Sequence, residues 1–266
     1  MSGIAIEKKD FAQTLARGLA CLEVLADASQ PLSCSEIAAA MKVSRAAARR
    51  VLLTLQHLGY ALAERGVYAP SAKVLSLGRG MLGKTGVWTA AGAEVIALAN
   101  RFNEPCSISV LEGLEILFVS RDSTRRVYSL RLGVGDRLPA HCSASGKMLL
   151  ALLSDKELNS RLSSARLERR GPASLTQVRS LKGALKQARE AGFAVAVDEM
   201  EEGTISIAVP IREREGRAIA AMSVASQRSR RKAADLQKDV LPELKAAAKR
   251  VEDVVRDFQD RKWTVF

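Results

Sequence analysis

The sequence predicts a two-part protein of mixed α+β class. Three observations carry that expectation. Residues 1–70 show three stretches of helical periodicity, with capping signals, closed by a short ribbon of strands. A glycine-studded segment follows at 71–85. From residue 86 to 266, strand-like runs are bracketed by amphipathic helices at both ends, the pattern of a mostly antiparallel sheet with helices beside it. The expected boundaries are therefore 1–70, a linker helix at 71–85, and 86–266. At 266 residues and 47% apolar content, the chain can build a core in each part.

The first helix is read from "FAQTLARGLACLEVLADAS", with Leu15, Leu19, Leu22 and Leu25 at helical spacing. Ser33 and Glu36 form an S-x-x-E capping box that starts a second, short helix burying Ile37, Ala38 and Met41. Ser44 is an N-cap for the third, "RAAARRVLLTLQHLGY", whose buried face is Ala48, Val51, Leu52, Leu55 and Leu58. Arg45, Ala46, Arg49 and Arg50 project elsewhere, and Gly59 stops the helix. "YALAERGVYAP" reads as two short strands around Arg65-Gly66. Three helices, the last bearing arginines, and a β-ribbon describe a winged helix-turn-helix. A major groove admits one α-helix, and short alanines between arginines let the backbone approach the bases. The candidate contacts to double-stranded DNA are Ser33, Ser35, Ser44, Arg45, Ala46, Arg49, Arg50 and, at the ribbon tip, Arg65. His57 reads as a surface or phosphate-facing residue rather than a ligand.

In the linker, Val74, Leu77, Met81 and Leu82 make one apolar stripe, while Gly78, Gly80, Gly83 and Gly86 weaken the helix. Beyond it come a helix at about 87–101, strands "CSISVLEG" and "EILFVSRD" bent at Glu112-Gly113, and a third strand "RVYSLRL". A loop through "GVGDRLPAHC" leads to a helix opening near Ser143. Two further helical segments precede "FAVAVDE", "TISIAVPIRE" and "RAIAAMSVAS", the last two turning at Glu215-Gly216. A long final helix is expected to restart at Pro242.

The net charge is +12, which favours a polyanionic partner. Residues 1–80 contribute +4 and the rest +8, so charge alone marks neither part as the nucleic-acid domain. Cys21, Cys34, Cys106 and Cys142 lie far apart, with no metal-ligand spacing, and read as small buried residues of a reducing compartment. No apolar run reaches the ~20 residues that span a bilayer, and the start lacks a secretory signal. A cytoplasmic protein without membrane attachment, metal or cofactor is expected.

The stretch "RLPAHCSASGKMLLALL" (137–153) gathers one of two histidines, one of four cysteines and two serines ahead of Gly146-Lys147. It is not a nucleotide-binding P-loop, since Ala140 or His141 stands where the first glycine belongs and Met148 where the magnesium-binding hydroxyl belongs. Nucleophilic use of Cys142, Ser143 or Ser145 with His141 as base lacks a G-x-S-x-G elbow. Non-covalent capture of an acid fits better. The N–H groups of residues 143–146 at a helix start, with the hydroxyls, make a neutral carboxylate cradle, beside which Arg137 and His141 can add charge. Packing of the helix on the sheet is the plainer alternative. A hydrolase or transferase using 141–146, with an N-terminal part that only dimerises, is the competing function. A sequence-neutral architectural DNA-binding protein is a third.

"LARGLACLEVLA", "SEIAAAMKVSRAAARRVLLTLQHLGY", "LGVGDRLPAHCSASGKMLLA", "EAGFAVAVDEMEEGTISIAVPI" and "AIAAMSVAS" resemble, in order, successive signatures of the IclR family of bacterial transcriptional regulators. They are most similar to its branch controlling aromatic-acid catabolism (protocatechuate, 4-hydroxybenzoate and β-ketoadipate). The resemblance implies a GAF-like effector-binding C-terminal domain for a small organic acid. It also implies a homodimer or dimer of dimers joined partly through the DNA-binding domains and linkers. The effector positions it implies are Cys142, Ser143, Ala144, Ser145, Gly146, Asp198, Glu199, Ser206 and Ser223.

Overall fold

The computed structural model describes residues 7, 9–78, 86–122, 127 and 132–260. Within it the chain divides into two compact units, with the division near residue 80.

The first unit holds α1 (Gln13–Asp27), β1 (Leu32–Ser33), α2 (Cys34–Ala40), α3 (Arg45–His57), β2 (Ala61–Glu64) and β3 (Val67–Pro70). Its core is Cys21, Leu25, Ile37, Leu52, Leu55 and Ala61. Ser33 and Glu36 close the capping box reciprocally, and Ser44 Oγ accepts from the Ala47 N–H at 3.2 Å. Helix α3 ends in a Schellman motif. Gly59 takes φ +79°, and the N–H groups of Gly59 and Tyr60 donate to Gln56 and Leu55. Helix α2 ends the same way on Lys42, a non-glycine residue at φ +53°. The hairpin turns at Arg65 and Gly66, both at positive φ as a type I′ turn requires.

Three expectations shift here. The stripe of α1 is not wholly buried: Leu15 and Leu19 are 63% and 51% exposed, and Cys21 with Leu25 fills the core instead. Leu58 is the α3 C-cap and is exposed. β1, unforeseen, pairs with β3 to give a three-stranded sheet in the order β1-β3-β2. After it, Ala72–Ser76 winds as a 3-10 helix rather than an α-helix, and the rest of the linker stripe, Met81 and Leu82, lies outside the described residues.

The second unit begins with α4 (Val87–Phe102), followed by β4 (Cys106–Glu112), β5 (Glu115–Asp122), β6 (Arg137–Pro139) and α5 (Ala144–Ala151). Then come α6 (Asp155–Leu162), α7 (Val178–Ala191), β7 (Ala194–Val197), β8 (Thr204–Arg212), β9 (Ala218–Gln227) and α8 (Leu241–Asp260). The expected strand "RVYSLRL" lies almost wholly outside the described residues. The expected break near Pro242 is a π-helical turn over Leu236–Val240 ahead of α8. Six strands pair antiparallel throughout, in the order β6-β5-β4-β9-β8-β7.

The two faces of this sheet differ in chemistry because strand side chains alternate. Ile108, Ile205, Ile207, Val209, Ile211, Met222 and Val224 pack against α4 and α8. Ala208 and Ala221 face the α5–α7 side, where Phe118, Met148, Leu181 and Leu185 complete a second core. On that side the central strands carry small residues in alternation: Ser107 and Ser109, Ser206 and Ala208, Ala221 and Ser223. That choice of small side chains keeps α5 close to the sheet and puts hydroxyls beneath it.

Candidate functional site

On the first unit, the candidate surface is the outer side of α3. Arg45, Ala46, Arg49 and Arg50 are exposed at its N-terminal half, and Ser44 and Ser35 lie exposed beside them. Among the described residues none of the three arginines forms an ion pair, so their charge faces solvent. Ser33 is half-buried, and its hydroxyl is taken by the Glu36 N–H. Arg65 stands at the hairpin tip with its side chain 92% exposed. Guanidinium groups on the first turns of an exposed helix, plus a cationic ribbon tip, suit one major groove and the backbone beside it.

On the second unit, polarity turns inward. Ser143 caps α5, accepting from the Gly146 N–H at 3.0 Å. That bond withdraws one hydroxyl and one N–H from the expected cradle. The Ala144 and Ser145 N–H groups, at the first two helical positions, have no intrahelical acceptor. Gly146 is required by space: a Cβ there would lie well under 3.0 Å from the backbone of Ala140.

Lys147, absent from the expected set, is the centre of this buried cluster. It is 4% exposed, and its ammonium donates to the Glu199 carboxylate at 2.5 Å and the Val195 carbonyl at 2.7 Å. Glu199 is 8% exposed. Burial pushes its carboxyl above the usual range, with the neighbouring Lys147 charge pulling the other way. Its second oxygen, Oε2, is buried with no hydrogen-bond partner among the described residues, as is Ser109 Oγ on the sheet. Ser107 and Ser223 share a hydrogen bond of 3.1 Å across β4 and β9. Ser206 and Ser145 are likewise buried.

The loop between α6 and α7 is pinned to the same place. Ser174 Oγ donates to the Glu199 carbonyl at 2.6 Å and receives the Arg170 and Gly171 N–H groups. Cys142 lies 3.7 Å from Ser174 Oγ. A carbonyl only accepts, so the His141 Nε2, 2.9 Å from the Glu168 carbonyl, is the protonated nitrogen and cannot take a proton there. Burial raises the Cys142 thiol, the reverse of what a nucleophile needs. The cluster is therefore unsuited to nucleophilic attack.

A model for the IclR helix-turn-helix domain matches residues 14–64, and one for the bacterial transcriptional regulator IclR C-terminal domain matches residues 80–253. The chain belongs to the IclR family. As an IclR-family protein it is a transcriptional regulator with an N-terminal DNA-binding domain, and not an enzyme. It is 36% identical over 241 residues to the Pca regulon regulatory protein of Pseudomonas putida, covering 90% of this chain and 83% of the other. It is 30% identical to the p-hydroxybenzoate hydroxylase transcriptional activator of Acinetobacter baylyi, covering 94% of each. An IclR homolog of Microbacterium hydrocarbonoxydans, solved in complex with 4-hydroxybenzoate, superposes with a TM-score of 0.77 at 29% identity, over 92% of this chain and 100% of that one.

Against this frame the expected effector residues separate. His141, Cys142, Ser145, Glu199, Ser206 and Ser223 are buried in or beside the cluster, and Ala144 and Gly146 form the first turn of α5. Arg137 is elsewhere engaged: it sits exposed on the short edge strand β6 and pairs with Glu112 at 2.5 Å and Glu115 at 3.6 Å. Asp198, at φ +53°, organises a turn by accepting the Gly203 N–H at 2.7 Å and pairing with Arg228. No described helix is long and apolar enough to cross a membrane.

Proposed function

We propose that this regulator holds a small aromatic carboxylic acid between the serine-bearing face of its sheet and α5, and transmits occupancy to double-stranded operator DNA gripped by α3 and the wing. The observation that carries the reading is the pair of buried, unpartnered acceptors, Glu199 Oε2 and Ser109 Oγ, under a helix whose first two N–H groups are uncapped. An unsatisfied buried polar group costs ~1–3 kcal/mol, so a ligand bearing both an acid and a hydrogen-bond donor is favoured there. The acid lies toward the Ala144 and Ser145 amides, favoured by the helix terminus. Ser145, Ser206 and Ser223 supply hydroxyls and Gly146 the close approach. The names of the relatives, two tied to p-hydroxybenzoate or the Pca regulon and one solved with 4-hydroxybenzoate, support an aromatic acid.

The regulator acts in the cytoplasm as a homodimer or dimer of dimers, each dimer placing two α3 helices in major grooves about one or more helical turns, ~34 Å, apart. The acid alters DNA affinity only as far as it prefers one dimer arrangement, acting through the glycine-rich residues 76–86. A thermal-shift screen of protocatechuate, 4-hydroxybenzoate, β-ketoadipate and pyruvate tests the pocket. The true effector stabilises the second unit by ~2.7 kcal/mol at one hundred times its Kd. Footprinting on promoter fragments tests the DNA half, and absence of any protected site with or without these acids overturns it.

A further inference from the structure

The charge of the second unit is unevenly placed. Residues 155–190, from the start of α6 to the end of α7, hold nine Lys and Arg against four Asp and Glu, a net +5 out of the +8 carried beyond residue 80, and all but one of those cations lie in 161–190. A second basic run at Arg228–Lys232 is largely neutralised, because Arg228 pairs with Asp198 and both Arg230 and Arg231 pair with Glu104. The 161–190 segment is different. Arg161 donates to the Gly113 carbonyl, Arg169 to the Pro172 carbonyl and Lys182 to the Asn159 amide oxygen. Arg189 donates to the carbonyls of Ala151 and Leu153. Neutral acceptors hold these cations in place without cancelling their charge. Arg189 and Lys186 approach carboxylates at 3.6 and 4.0 Å, and Arg161 stands near enough to Glu157 to help lower its carboxyl.

Lys182 to Asn159 and Arg189 to Asp155 link α7 to α6. Arg179, Lys182 and Lys186 are exposed at helical spacing along α7, and Arg166, Arg169 and Arg170 are exposed on the loop that Ser174 pins. The segment has no aromatic residue, whereas protein partners and single-stranded bases are gripped largely by aromatic side chains. Exposed cations that outnumber the neighbouring carboxylates, without aromatics, match the phosphates of a duplex.

We infer that the α6–α7 surface of the effector domain is a second, sequence-independent contact to the phosphate backbone of DNA flanking the operator. The inference rests on the reading of α3 as the operator-binding helix, which supplies the duplex at high local concentration.

The test uses the full-length protein carrying R166Q, R179Q and K186Q together, none of which removes a buried contact. Operator affinity is measured across a salt series on two duplexes, one ending at the footprint and one extended by about two helical turns (~70 Å) on each side. On the long duplex the variant should bind on the order of tenfold more weakly at low salt, with a log–log salt slope shallower by about 2 to 3. On the short duplex it should match the parent. An equal slope and affinity on the long duplex overturn the inference. So does a variant that binds both duplexes normally yet fails to support transcription by purified RNA polymerase, which assigns the surface to an acidic protein. R49A is run alongside. Loss on both duplexes sustains the α3 reading, while no loss on either overturns that reading without touching the comparison between duplexes.

Discussion

The two units hold their polar chemistry in opposite ways. On α3 the charged groups stand in water and the core cluster beneath them is built of apolar side chains, so recognition and stability are separable. Under α5 a lysine, a carboxylate and several serines are buried among the packing, so on the proposed reading the same atoms serve binding and folding. A change to the first kind of site should alter function with the fold intact, whereas a change to the second should disturb both.

The sharpest way to break this contrast is Lys147→Met. It leaves the Glu199 carboxylate buried alone, and removing one partner of a buried pair costs ~3–5 kcal/mol. Chemical denaturation of the second unit's transition reads the loss, and the double change with Glu199→Leu should recover most of it. A single-variant loss below ~1 kcal/mol would place the pair in contact with water after all. The same pair sets a pH dependence. Because the Glu199 carboxyl titrates above its ordinary 4.5, the folded state binds that proton more tightly than the unfolded one. Its contribution is therefore fully present below about pH 4.5 and declines as pH rises through the raised value. Against Glu199→Gln, which lacks the titration, the wild-type stability should fall over that window, and a rising difference would reverse the assignment.

Next in size is Gly146→Ala. The new methyl meets the Ala140 backbone, which cannot step aside as a side chain could, and the expected loss is ~1–3 kcal/mol with weakened acid binding. Arg49→Ala should do the converse, weakening operator binding by roughly ten- to hundredfold while leaving stability within ~0.5 kcal/mol. Gel shift and melting on one preparation decide it. Smallest is Lys42→Gly, which relieves a non-glycine left-handed residue at the α2–α3 turn and should add up to ~1 kcal/mol to the first unit. A loss instead would mean that the lysine side chain contributes to packing there.

Much of the fold was legible where chemistry is local. The Ser33–Glu36 box, the Ser44 cap, Gly59 and the Arg65-Gly66 turn are signals within a few residues, and each stands in the structure where the pattern put it. β5 matches "EILFVSRD" residue for residue. What depends on a distant partner was harder to read. Lys147 has no assignable role in the sequence once the P-loop is excluded, because a lysine is ordinarily assigned to solvent and its partner Glu199 is 52 residues away. Arg137 looked like a pocket residue by sequence proximity, yet a short edge strand turns it to the β4–β5 hairpin. The alternation in "TISIAVPI" and "AAMSVAS" did carry the serine face, visible once the strands are paired. Periodicity named the stripe of α1 but not its depth, since three small helices have room to bury only part of it.

The closeness of Gly146 to Ala140 has a mechanical corollary. Two backbones in contact cannot slide independently, so the 3-10 turn Ala140–Cys142 must travel with the start of α5. Ala140 is in turn bonded through its N–H to the Leu114 carbonyl, at the bend between β4 and β5. A guest that lifts α5 therefore tugs on that outer bend, and the bend becomes a place on the protein's skin from which an event in its interior can be felt.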